Sequence, residues 1–287
     1  MLAIYKKELR AYFTSMIGYV FIAFFLFVIG IYFYLQNLYS LYANFEYTLS
    51  AVTFIFVLLV PIITMRLMAE ENRQKTDQLL YTSPLSAGSI VAGKFLAVFT
   101  VFAAVMAVTC FYPLILKQYG NVPMAPAYGS IYGFVILGAT YLAIGLFVSS
   151  MTESQVVAAV VAFFVFLITL IMDFVAPIIP ADNRTSFIIC MVAVLVLCVI
   201  LYLMMHNLTL TVGIGSIAGG VLIVLYLTKP ILFDGLVTRV LEWISVLARY
   251  DSFYYGILDF ADTIYYLSIV FLFLFLTTQV IKKKRWS

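Results

Sequence analysis

Residues 11–45 read AYFTSMIGYVFIAFFLFVIGIYFYLQNLYSLYANF, without one Asp, Glu, Lys or Arg. A helix crossing a hydrocarbon core needs about 20 apolar residues, whereas the core of a secretory signal runs to about 7–15. No small-residue cleavage site closes the run, so it predicts a retained membrane helix near 16–36. Composition generalises that reading. Of 287 residues, 65% are hydrophobic and 10% charged, with a mean hydropathy of +1.13. Soluble domains carry about 25% charged residues. This chain has too few charges to cover a surface in water, which excludes a free cytosolic enzyme, a secreted domain and a disordered chain.

Uncharged runs predict seven more spans, near 48–65, 95–116, 130–149, 155–177, 187–205, 208–228 and 263–281. The sixth and seventh come from one stretch, 185–228, which would be roughly 66 Å long as a single helix. A tight hairpin at His206–Asn207 divides it and makes eight spans. A re-entrant or interfacial pair would leave six, with both termini still on one side.

Charge bias orients the chain. With both termini in the cytoplasm, inner segments hold Lys6, Lys7, Arg10, Arg66, Arg73, Lys75, Lys94 and Lys282–Arg285, eleven of the 16 basic residues. Basic excess marks cytoplasmic loops. The opening segment puts Leu2, Tyr5, Leu9, Tyr12 and Phe13 on one stripe and Lys6, Lys7, Arg10 and Thr14 on another, as an interfacial helix over 1–15 would. An extracytoplasmic amphipathic segment, 229–262, sets Leu236, Val240, Trp243, Ile244 and Leu247 against Thr238, Glu242, Ser245 and Arg249.

Several motifs suggest chemistry and fail on context. Gly88-Ser-Ile-Val-Ala-Gly93-Lys94 has phosphate-loop spacing but is followed by Phe95, where a Mg²⁺-binding hydroxyl belongs, and no strand precedes it. The plainer reading is a loop entering a helix, with Lys94 snorkelling to the inner interface. Gly215-Ser-Ile-Ala-Gly219 suits close helix packing, within the subunit before a dimer seam. Asp173 lies within snorkelling reach of the outer interface and reads as structural. Cys110, Cys190 and Cys198 are unpaired in spacing and read as small buried hydrophobes, and a single histidine, His206, excludes a multi-histidine metal site. No intramembrane catalytic set is evident.

The one substantial inner loop, 66–94, carries Glu70, Glu71, Arg73, Thr76 and Asp77, then the apolar cluster Leu79-Leu80-Tyr81, then Thr82 and the helix-stopping Pro84, with Ser86 able to cap the next helix. An amphipathic helix joined to two spans suits a docked partner; a solvated loop is the plainer alternative. The pattern Arg…Glu-x-Arg-x-x-Thr-x-x-Leu-Leu-x-Thr-x-Pro-x-Ser followed by Gly93-Lys94 resembles the permease subunits of ABC-2-type transporters. Ser149-Ser150-Met-Thr152-Glu153-Ser-Gln155 is similar to that family's loop between spans four and five. The stretch Gly256-Ile-Leu-Asp259…Asp262-Thr-Ile-Tyr265-Tyr266-Leu-Ser resembles the gliding-motility-associated and copper/nitrous-oxide-associated branches. There are two departures. Lys75 stands where the family often has Gly, and the hairpin 187–228 is added to a six-span core.

The resemblance implies an all-α polytopic permease, a single transmembrane domain over 1–287, in the cytoplasmic membrane of a bacterium or archaeon. It implies two ABC ATPase subunits as partners and a second permease, first of all a homodimer. An accessory membrane or extracytoplasmic protein is allowed, and nucleic acid is not expected. This chain would bind no cofactor or metal and have no catalytic residue, ATP and Mg acting on the partner. ATPase coupling would fall to Glu70, Glu71, Arg73, Thr76, Asp77, Leu79, Leu80, Tyr81, Thr82 and Pro84, with Thr152 and Glu153 as a smaller contact. A secondary transporter and a structural membrane anchor are the readings from other classes.

Overall fold

The computed structural model describes residues 1–76, 85–205 and 208–286, and among these every regular element is helical. The predicted turn at His206–Asn207 lies outside the described residues. The chain forms two units, Met1–Leu170 with Arg249–Ser287, and Ile171–Ala248.

In the first unit α1 (Leu2–Thr14) leads into α2 (Met16–Tyr32), which continues as a π-helical turn, Phe33–Tyr39. The wider π turn carries Asn37 inward. Its Nδ2 donates to the carbonyls of Tyr42 (2.8 Å) and Asn44 (3.2 Å), and its Oδ1 accepts from Thr48 Oγ1 at 2.6 Å. One amide thus satisfies the backbone of the loop that follows. Then come α3 (Phe45–Val52), α4 (Ile55–Thr64) and α5 (Arg66–Gln74).

The stretch predicted as a span, 48–65, is helical but broken: α3 meets the following helix at a bend of 58°. Thr53 causes it locally, its hydroxyl and N–H both turning back to the Ser50 carbonyl. That bond competes with regular helix geometry. Past the break, Ile55–Gln74 runs as one helix, because Met65 keeps right-handed helical dihedrals between α4 and α5.

α6 (Ala87–Thr109) and the short α7 (Tyr112–Lys117) precede α8 (Met124–Met151) and α9 (Gln155–Val175), whose last turn enters the second unit. α8 is the central helix of the first unit, with 72% of its apolar window buried. Around it Phe25, Phe56, Phe102, Phe134, Tyr141 and Phe166 form a fully enclosed ring cluster, with centroids 4.6 Å apart for Phe56–Phe134 and 4.9 Å for Tyr141–Phe166. In lipid, apolar side chains gain little by leaving their solvent, so close packing must hold helices together. Gly138 admits the Phe102 ring, and Gly145 admits Thr64, whose Cβ would lie 2.9 Å from any added methyl.

The second unit holds α10 (Asn183–Met205) and α11 (Leu208–Thr228), packed along one another. Phe187 stacks on Tyr226 at 4.5 Å, and a Cβ on Gly215 would lie 2.7 Å from Cys198 Sγ. Contacts between early α10 and late α11 make the pair antiparallel, and the Gly215 stripe packs within the chain. A bend of 115° separates Gly215–Thr228 from Pro230–Ile244.

The amphipathic helix of this unit, α12 (Leu236–Ile244), differs from the expected one. Val237 faces inward while Val240, Trp243 and Ile244 are exposed. It stops at Ile244, where Ser245 turns extended and donates to Asp173 Oδ1 at 3.4 Å. Leu247 and Arg249 therefore lie beyond it. Two last helices return to the first unit, α13 (Tyr250–Tyr254) and α14 (Phe260–Trp286). Arg249 pairs there with Asp262 at 2.9 Å and covers the Tyr265 ring at 4.3 Å.

All eight expected stretches are helical. Among the described residues, five helices are long and apolar enough to cross a membrane, Met16–Tyr39, Ala87–Lys117, Met124–Met151, Gln155–Ile178 and Phe260–Arg285, or up to seven counting each bent pair as one span. The three cysteines are half-buried rather than enclosed.

Candidate functional site

The polar end of the Ile55–Gln74 helix, hereafter the elbow, gathers contacts from four other segments of the first unit. α5 ends because Lys75 adopts a left-handed conformation, φ 55°. Its N–H donates to Asn72 O (3.3 Å), and the Thr76 N–H donates to Glu71 O (3.1 Å). This pair of bonds is the Schellman closure, at whose left-handed position glycine is favoured. The departure noted at Lys75 therefore falls on a strained residue. Lys75→Gly is expected to stabilise the chain by about 1 kcal/mol, read as a higher melting temperature in detergent.

α8 holds the elbow from behind. Ser149 Oγ, fully buried, accepts from the N–H groups of Met68 and Ala69, both at 3.1 Å, and donates to Met65 O at 2.9 Å. Asn72 Nδ2 donates to the carbonyl of Thr152 at 3.1 Å. At the same end of the unit, Lys284 Nζ donates to Ser150 O at 2.9 Å, a cation on the last carbonyls of α8. Arg285 reaches Leu85 O at 3.4 Å.

The N-terminal helix holds the elbow from the side. α1 packs along α6, where a Cβ on Gly93 would come within 3.2 Å of Ile4. Its inward stripe is Ile4, Glu8 and Tyr12, while Leu2 and Phe13 of the predicted apolar stripe are exposed, as residues facing lipid would be. Tyr12 donates to Ile63 O at 3.0 Å, and complete burial pushes its phenol far above the ordinary value, so it remains a donor.

Glu8 explains a second correction. Lys94 does not snorkel to an interface; its side chain is 1% exposed. Its ammonium lies 3.0 Å from Glu8 Oε1 and 2.8 Å from Glu71 Oε2, and donates to Leu67 O at 2.7 Å. Three acceptors match the three protons of an ammonium. Lys7 adds a further pair to Glu71 at 3.0 Å. Partial burial works against the Lys7 charge, but Glu71 first and Glu8 second outweigh it and hold the group above its ordinary value. Beside this cluster opens a cleft of about 570 Å³, lined in part by Lys7, Glu8, Tyr12, Arg66, Glu70 and Glu71.

The phosphate-loop spacing is thereby accounted for. Gly88–Lys94 is helix, capped by Ser86 Oγ accepting from Ser89 N–H at 3.3 Å. The lysine such a loop would offer to phosphate is occupied.

Of the residues expected to couple to an ATPase, the elbow brings together Glu70, Glu71, Arg73 and Thr76, with Thr152 bonded to it through its carbonyl. Arg73, Thr76 and Glu153 are exposed, Glu70 pairs with Arg66 at 2.9 Å, and Glu71 is turned inward. Asp77, Leu79, Leu80, Tyr81, Thr82 and Pro84 lie outside the described residues. Sequence reasoning missed Lys7, Glu8, Asn72, Lys94, Ser149 and Lys284 as site residues. The available signal was a carboxylate on the α1 stripe and a lysine one residue past Gly93, between apolar neighbours.

A bundle of membrane-length helices with a bonded polar elbow defines a multi-pass membrane protein. Residues 2–286 match the family described as ABC-2 family transporter protein, and the chain belongs to that family. It is a permease subunit of an ABC exporter in general, typically non-catalytic and partnered with ABC ATPase subunits. Nothing in the match singles out the gliding-motility-associated or copper/nitrous-oxide-associated branch. No curated protein matches the chain.

Proposed function

We propose that the chain forms the membrane pathway of a bacterial or archaeal exporter as a homodimer, in the cytoplasmic membrane, served by two separate ATPase subunits. The elbow end faces the cytoplasm, in keeping with the basic excess of the segments that meet there. Residues 70–84 form the main seat of the ATPase and residues 150–155 a smaller one. ATP and Mg act on the partner; this chain supplies the moving helices. The hairpin 187–228 adds two spans to a six-span core, and the C-terminal pattern favours the gliding-motility-associated or copper/nitrous-oxide-associated branch.

The observation that supports this reading best is mechanical. The elbow continues α4 without a break, and Ser149, Asn72 and Lys94 bond it to α8, the 150–155 turn and α6. A push on the elbow therefore reaches several membrane helices at once. Expressing the full chain with a candidate ABC ATPase from the same organism provides the test. Co-purification of the two in detergent, with vanadate-sensitive ATP hydrolysis after reconstitution, is expected. Transport driven by an ion gradient in vesicles lacking ATP would overturn it.

A further inference from the structure

Two positive and two negative charges meet where α1, α5 and α6 cross, and they balance: Lys7 and Lys94 against Glu8 and Glu71. Each helix contributes at least one member. The arrangement is not a surface ornament, because Lys94 is 1% exposed and both carboxylates 13%.

From this geometry we infer that Lys94 is a positioning residue of the coupling step. It ties the N-terminal helix and the elbow to α6, so that the three shift as one body. The inference rests on the elbow being the ATPase seat, and it adds α1 and the start of α6 to the part that is pushed.

The physical argument is one of register. Apolar faces packed in lipid slide past one another at small cost, since lipid replaces the lost contacts. A buried ammonium cannot slide. If α1 moves away from the elbow, Lys94 loses Glu8 or Glu71, and an ammonium only 1% exposed is left short of a partner at the edge of the cleft. Breaking a buried pair costs far more than the intact pair contributes, which makes such pairs poor glue and good registry devices. Closeness supports the same view: a Cβ on Gly93 would come within 3.2 Å of Met1 O, so α1 and α6 meet backbone to backbone.

The test uses the full chain in lipid nanodiscs, alone and with its ATPase. Nitroxide labels go on Lys6→Cys and Arg73→Cys, both exposed, after Cys110, Cys190 and Cys198 are replaced by Ala. Electron–electron double resonance then reads the α1–elbow distance. The unsubstituted network is expected to give one narrow distance, the same before and after vanadate trapping of the ATPase. Lys94→Met is expected to broaden it, with the separated state roughly a hundredfold more populated. Lys94→Arg, which keeps a cation and donors for Glu8, Glu71 and Leu67 O, is expected to keep it narrow. Should Lys94→Met fail to fold, Glu71→Gln, which leaves the Glu8 contact, is expected to broaden the distance in part.

A narrow, unchanged distance in Lys94→Met, or in Glu71→Gln where that variant stands in, overturns the inference. So does a distance that changes on trapping with the network intact. Failure of the ATPase to bind, with the permease-alone distances behaving as described, overturns the docking reading instead and leaves the clamp standing.

Discussion

With the proposed ATPase seat, Leu80→Asp is expected to leave the permease inserted and folded but to separate it from its motor. Leu79, Leu80 and Tyr81 form an apolar cluster between the charged stretch 70–77 and Pro84. Lys75 closes α5 on one side and Ser86 opens α6 on the other, and both ends are tied into the bundle. An apolar cluster of this kind suits a helix-in-groove contact with a partner. Truncating a central anchor in such a contact costs 2 kcal/mol or more, roughly thirtyfold in affinity, and a buried aspartate adds its own desolvation cost. Co-purification with the ATPase should fall accordingly, with ATP-driven transport lost and membrane yield unchanged. Arg73→Glu, at an exposed position on the elbow, should weaken the complex much less. Equal recovery and equal transport for Leu80→Asp and the parent chain would refute the seat.

Gly145→Ala should damage the fold itself by about 2–3 kcal/mol. The new methyl would overlap Thr64 Oγ1, with Thr64 Cβ and Cγ2 each at 2.9 Å. Thr64 is fully buried, and its hydroxyl donates to Val60 O at 2.7 Å, so it has nowhere to swing. Only separation of α4 from α8 relieves the clash, and that also strains the Ser149 bonds one turn further on. Gly88→Ala is the matched control, since open space surrounds Gly88 in the first turn of α6. There the methyl should be neutral, or stabilising by up to about 1 kcal/mol through helix propensity. Thermal melting of the two purified variants checks the contrast; equal melting temperatures would show that α8 yields at Gly145.

The apolar helices were legible because hydropathy acts locally: twenty apolar residues define a helix whatever its neighbours. The elbow was legible for the same reason, its polar residues continuing a helical run. The inward face of α1 was not. Five apolar residues outvote one carboxylate in any stripe, yet Glu8 faces inward because of Lys94, 86 residues away. Nothing within a turn of Lys94 announces that partner, so a lysine at a span's edge looks like a snorkelling one. The same distance in sequence hid the role of Ser149, whose hydroxyl serves backbone groups 80 residues earlier. The bend at Thr53 was masked differently, by apolar residues that suit a straight helix and a broken one equally.

The uninterrupted stretch Ile55–Gln74 has a geometric consequence. Its 20 residues make a rod about 30 Å long, running past Pro61 and the turn residue Met65 from Phe56 in the ring cluster to Gln74 at the tip. Pivoted at Thr53, such a rod converts a tilt of about 10° into a sweep of about 5 Å at its far end. Read in reverse, a nudge of a few ångströms at the tip turns Phe56 against its aromatic neighbours, so the bundle's centre registers motion without any residue there meeting the source of the force.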